Sequence, residues 1–173
     1  MIKGDDLRRF ICGRASQLDK DVLDAAAEGI DPVLFERKGS LYLLCSQALD
    51  PAVPEEVYRR YYADTSFDTI PSLSSALAAT YDAHEHAYEH LAVALVIRGL
   101  ELTILGTEQA MVWLAQFDTV KEILIPRKQQ KLNRLVIDRG FGYNRWVLFS
   151  TGWRLSRGDT LVMSAQSGPV FDA

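Results

Sequence analysis

At 173 residues, with 48% apolar and 24% charged side chains, the chain is sized for one domain spanning residues 1–173 with its own core, and its balance is far from that of a disordered segment. No stretch approaches the roughly 18 apolar residues of a membrane span, and Met1–Arg14 lacks the apolar run of a secretory signal, so a cytoplasmic protein without membrane association is expected. The net charge of −4 conceals a stretch from Arg127 to Arg157 with eight basic residues against one acid, Asp138, a surplus of +7 that leaves −11 on the rest.

Residues 16–29 hold helix formers and close on Gly29, the place of a C-terminal glycine cap. Val33-Leu34-Phe35 and Leu41–Cys45 are apolar runs separated by five residues that include Gly39, which reads as a β-hairpin with Gly39 in its turn. The second run is continuous rather than alternating, as expected of a strand covered on both faces. Glu55–Asp64 suits a helix with Pro54 in its first turn. The longest helical pattern runs from Ser72 to about Leu91. At about 100° per residue, Leu73, Ala76, Leu77, Thr80, His84, Ala87, Tyr88 and Leu91 share one stripe, while Asp82, His86 and His90 lie opposite.

Beyond it, Ala92–Ile97, Glu101–Leu105, Gln109–Ala115 and Val120–Ile125 are short apolar runs broken by Arg98-Gly99 and Gly106-Thr107, the pattern of an antiparallel meander. Further strands are expected at Leu132–Ile137, Arg145–Phe149 and Thr160–Ser164. Strands that surround helices without βαβ alternation imply an α+β fold with antiparallel sheet and helices segregated to its faces. Cys12 and Cys45 are expected to be small, reduced core residues.

All three histidines fall within seven residues, and Asp82, His86 and His90 are spaced as ligands on one helix face. That face is the solvated one, and catalytic zinc recruits a further ligand from another element. A polar helix face with a hydrogen-bonded, buried His84 is therefore the expected account, and a metal-dependent hydrolase built on Asp82, His86 and His90 is the alternative. The chain has no G-x-S-x-G elbow, no P-loop and no G-x-G-x-x-G. Arg127, Lys128, Lys131, Arg134 and Arg139 are candidate binding residues for a phosphorylated or acidic protein partner. The overall pI of about 5.4 argues against nucleic acid. An anion-binding module of unrelated fold is a further alternative.

The order of segments resembles the metal-dependent, PPM-type serine/threonine protein phosphatases. Arg14-Ala15-Ser16-Gln17-Leu18-Asp19 is similar to the family's R-x-x-N-[EQ]-D opening. Leu41–Cys45 and its following loop occupy the place of V-A-D-G-M-G-G, and Ala92–Ile97 that of the G-T-T-A strand. Leu102–Trp113 resembles the strand, G-D-S-R-A turn, strand unit, and Leu155–Gln166 looks like L-x-x-G-D-x-L-L-L-C-S-D. The resemblance implies an αββα sandwich, two stacked antiparallel sheets flanked by helices.

Where the family carries an aspartate and a glycine for its paired metals this chain has Ser46 and Gln47, where its turn reads G-D-S-R it has Gly106-Thr107-Glu108-Gln109, and its late metal aspartate falls on Gln166; only Asp19 and the phosphate-facing Arg14 remain. Two hard divalent cations need several carboxylates, and one cannot hold the pair. The expectation is a pseudophosphatase: a phosphatase-like domain without cofactor or catalytic residues, acting as a binding or regulatory module. Since Ala173 comes before the family's closing helix and D-N strand, a fragment or a trimmed fold is expected.

Overall fold

The computed structural model describes residues 37–45, 52–84, 91–129, 131–138 and 145–165. Within them run β1 (Ser40–Cys45), α1 (Ala52–Ala63), α2 (Thr69–Ala83), β2 (Leu91–Arg98), β3 (Glu101–Gly106), β4 (Ala110–Gln116), β5 (Thr119–Leu124), β6 (Asn133–Asp138), β7 (Arg145–Arg154) and β8 (Thr160–Ala165). The strands form two sheets, one ordered β1-β2-β3-β7-β6 and one ordered β5-β4-β8, and every pairing is antiparallel. The architecture is α+β, with α1 and α2 on one face of the five-stranded sheet and the three-stranded sheet on the other.

Side-chain alternation along β1 shows how the layers are made. Leu41 and Leu43 enter the core shared with Val57, Tyr61, Leu73 and Leu77 of the helices. Tyr42 and Leu44 enter the core between the sheets with Val112, Leu114 and Leu161. The same division runs along β2, where all seven residues from Leu91 to Ile97 are buried. A strand covered on both faces has no solvated side on which to place polar residues, which is why Leu41–Cys45 and Ala92–Ile97 are unbroken apolar runs.

The structure corrects three expectations. The four runs from Ala92 to Ile125 are strands, but they form two hairpins in different sheets. β3 pairs with β2 and β7, so β4 has no free edge to join and crosses to the second layer. The crossing is a tight turn, in which Thr107 N–H donates to Ala92 O (2.9 Å) and Ala110 N–H to Thr107 O (3.0 Å). A Cβ on Gly106 would lie 2.6 Å from both Ala110 Cβ and Leu124 Cδ2, so only glycine lets the layers close here. Second, Arg37 and Lys38 are helical, and Gly39 with φ +80° turns the chain out of that helix into β1 instead of turning a hairpin. Val33–Phe35 lie outside the described residues.

Third, α2 ends at Ala83 rather than near Leu91. His84 caps it with φ −129° and ψ 84°, and Leu91 begins β2. The stripe Leu73, Ala76, Leu77 and Thr80 is buried as its spacing implies. Overpacking at the crossing is expected to be costly. Gly106→Ala should destabilise the fold by about 1–3 kcal/mol in denaturant unfolding, and an unchanged midpoint would show that the sheets do not meet at this glycine.

Candidate functional site

The register places several strand ends together at one end of the sandwich. Cys45 ends β1 opposite Leu91, Thr107 follows β3 and hydrogen-bonds to Ala92, and Ala110 starts β4 opposite Ala165, which ends β8. β8 also touches β1 and β2. Ser46 and Gln166, each one residue past such a strand end, lie outside the described residues, as do Arg14, Asp19 and Gln47. Thr107 is half-buried, and its Oγ1 accepts the N–H of Gln109 at 3.3 Å within its own turn. Among the described residues no group of three histidines, cysteines, aspartates or glutamates is placed to hold a metal ion. Thr107, the described residue of this set, offers a hydroxyl and no negative charge, a weak donor for a hard divalent cation.

The candidate binding residues are distributed rather than gathered. Lys128 lies in the turn after β5 and its Nζ donates to Glu122 Oε1 at 3.1 Å. Arg127 shares this turn, and Lys131 and Arg134 are exposed around the start of β6, which is an edge of the five-stranded sheet. Arg139 lies outside the described residues. Arg134 sits opposite Phe149, whereas Arg154 is five residues further along β7, about 17 Å away at strand rise. Arg127–Arg134 thus lines the crossover between the two sheets, and Arg154 and Arg157 belong to the end remote from Thr107.

The helix face proposed for a metal is interrupted, because α2 stops at Ala83. Asp82 is exposed on its last turn, and His86 and His90 lie outside the described residues. His84 is half-exposed and not a core residue: its Nε2 lies 2.9 Å from Glu56 Oε2, while Arg60 donates to Glu56 Oε1. Glu56 therefore ties α1 to the C-terminus of α2. The bonds to His84 and Arg60 hold its carboxyl below the usual range.

A second polar cluster was invisible in the sequence because its members are far apart in the chain. Lys38 Nζ donates to Asp64 O (2.6 Å) and Ser72 Oγ (2.9 Å) and lies 4.6 Å from the centre of the Tyr61 ring. Ser72 Oγ donates to Asp64 Oδ2 at 2.6 Å. Serine, amine and carboxylate are the parts of a base-activated nucleophile. Here Lys38 and Ser72 are each 2% exposed and already bonded, so the cluster has no room for substrate. It pins the start of β1 to the helices, together with Tyr61 O–H donating to Lys38 O and Tyr62 O–H donating to Gly39 O. Burial pushes the Lys38 ammonium below the usual lysine range, with Asp64 opposing.

No family model matches the sequence, and no curated protein does. Two solved chains match, and one of them is described as "PppA, a key regulatory component of T6SS in Pseudomonas aeruginosa". It shares 13% identity at a TM-score of 0.45, over 70% of this chain and 63% of that one, so this chain spans less than two thirds of its length.

Two measurements check these roles. Lys38→Ala leaves Asp64 O and Ser72 short of a donor in a buried place and should cost about 2–4 kcal/mol of stability; a loss within error of zero contradicts the pinning role. Glu56 and Asp64 both titrate below their ordinary values, so the stability they supply is complete above about pH 4.3 and is lost as pH falls through their folded values. Glu56→Gln should lower the denaturation midpoint near neutral pH, and its gap to wild type should narrow as pH falls below about 4.3. A gap independent of pH would show that the His84 and Arg60 contacts do not depend on the charge of Glu56.

Proposed function

We propose that this chain is a PPM-phosphatase-like domain that binds rather than hydrolyses, serving as a regulatory module for a protein partner in the cytoplasm. The observation that carries this reading is the convergence of the Cys45, Thr107 and Ala165 strand ends at one end of a two-sheet sandwich, combined with the residue types there. Ser46 and Gln166 stand where the resembled family holds metal with aspartates, with Gln47 at its neighbouring glycine and Thr107 in place of the aspartate of its G-D-S-R turn. A dinuclear hydrolase needs those acids to hold its ions close together and to generate hydroxide at neutral pH. The retained Arg14 and Asp19 are consistent with descent from such a site. The partner is phosphorylated or acidic and meets the crossover from Arg127 to Arg134. Among the described residues no helix is long and apolar enough to cross a membrane.

The test is hydrolysis of p-nitrophenyl phosphate and of phosphopeptides with added Mn²⁺ or Mg²⁺. The proposal expects no metal-dependent turnover above background and no change on Asp19→Ala. Turnover that requires metal and disappears in Asp19→Ala overturns it.

A further inference from the structure

The edges of the two sheets are not alike. β1 bounds the five-stranded sheet on one side, and its outer edge is already met: Tyr62 Oη accepts Leu41 N–H at 3.1 Å and donates to Gly39 O at 2.8 Å. In the three-stranded sheet, β5 carries Lys121 and Glu122 at its middle, charges that keep an edge from pairing, and Thr160–Ser164 of β8 are all buried or half-buried. β6, on the other side of the five-stranded sheet, lacks these protections. Among the described residues it pairs with β7 alone, over six residue pairs without a bulge, and it holds neither lysine nor proline.

The middle of β6 is apolar and reaches water. Leu135 and Ile137 lie on the helix side of the sheet, opposite Leu148 and Trp146, and are only partly buried against that core. Arg134 and Val136 are on the other side, opposite Phe149 and Val147, and Val136 is 46% exposed. Arg134 is exposed and forms no ion pair with a described residue. Such an edge is a template for a further strand, and its occupant has to match the order Arg134, Leu135, Val136, Ile137, Asp138.

β6 matches itself. Antiparallel pairing of two copies on a two-fold axis at Val136 sets Arg134 of one copy opposite Asp138 of the other, twice, and Leu135 opposite Ile137, twice, with Val136 meeting Val136 on the axis. Residues so opposed have Cβ atoms about 5 Å apart, where unlike charges and apolar pairs stabilise a ladder. Neighbouring registers lose this match. An axis at Leu135 sets Arg134 against Val136 and Asn133 against Ile137, and an axis at Ile137 sets Asp138 against Val136. In β5, an axis at Lys121 or Glu122 sets like charges against each other. With the axis at Val136, the row across the join reads Arg145, Asp138, Arg134, Phe149, so each acid stands between two arginine positions. Leu135 and Ile137 then carry the helix-side core from one copy into the next.

We propose that β6 is a self-association edge, through which two copies of this chain join their five-stranded sheets antiparallel on a two-fold axis at Val136. The contact takes up Arg134 and leaves Arg127, Lys128 and Lys131 of each copy on the crossover, so it does not depend on the reading of the domain as phosphatase-like. One strand pair is a small contact, and association is therefore reversible and rises with concentration.

Sedimentation equilibrium of the full chain over a concentration series tests it. Wild type should show a monomer–dimer equilibrium. Arg134→Asp and Asp138→Arg should each weaken dimerisation about tenfold or more, since two unlike pairs become two like pairs. Val136→Lys should do the same by setting two ammoniums on the axis, and because Val136 and Arg134 are exposed, these chains should keep the wild-type Tm. An equimolar mixture of the Arg134→Asp and Asp138→Arg chains should associate again, because each acid then meets a guanidinium across the join. A wild-type chain monomeric at all concentrations up to about 1 mM overturns the proposal and leaves the edge to a strand from another protein or from elsewhere in this chain. A dimer that survives Arg134→Asp and Val136→Lys overturns it as well. So does a mixture that stays monomeric, or growth beyond a dimer, since a two-fold contact closes.

Discussion

The structure depends on β2 being buried on both faces. From Leu91 to Ile97 every residue is inside, with Ala94 and Val96 turned to the helices and Leu95 and Ile97 to the second sheet. A strand in that position joins two cores that would otherwise be separate. Its backbone groups are met by β1 and β3 on either side, so no buried amide is left to water. Removing a large side chain here opens a cavity against two layers at once, so large-to-small substitutions in β2 belong at the costly end of the usual range.

Because β2 fixes both layers, it also fixes what lies at the two ends of the sandwich. At one end the strands stop at Cys45, Thr107 and Ala165, and the crossing at Gly106 draws the layers together until side chains touch. That framework can bring loop residues into one place regardless of what those residues are. On the proposed reading, residue type then decides the chemistry, because paired divalent ions require negative charge from several carboxylates. At the other end Leu155 N–H donates to Leu100 O, and Asp159 Oδ2 accepts from Ser156 N–H and Gln116 Nε2, so the turns there are tied to one another as well.

Much of this was legible in the sequence, for identifiable reasons. Strands covered on both faces announce themselves as unbroken apolar runs, and the half-covered β4 alternates Ala110, Val112 and Leu114 with less buried neighbours. Pairing was not legible. Gly106-Thr107 reads locally as a hairpin turn, and only the presence of β7 on the far edge of β3 excludes β4 from that sheet. The helix was overextended because His84, Ala87, Tyr88 and Leu91 continue a helical period, whereas Leu91 is required in β2. The Lys38 cluster joins residues 26 and 34 positions apart, a closeness that no local pattern encodes. The Phe117-Asp118 turn of the β4–β5 hairpin, in which Phe117 has φ +53°, was hidden for another reason: a Phe-Asp dipeptide carries none of the glycine or asparagine signal by which such turns are recognised.

Diffraction from a crystal soaked in manganese chloride, with an anomalous map calculated around the ends of β1, β3 and β8, tests most directly the proposal that this framework does not hold a pair of divalent ions. The expected map has no pair of peaks between these strand ends. Two peaks about 4 Å apart bridged by Asp19 would contradict the reading and point to a hydrolytic centre.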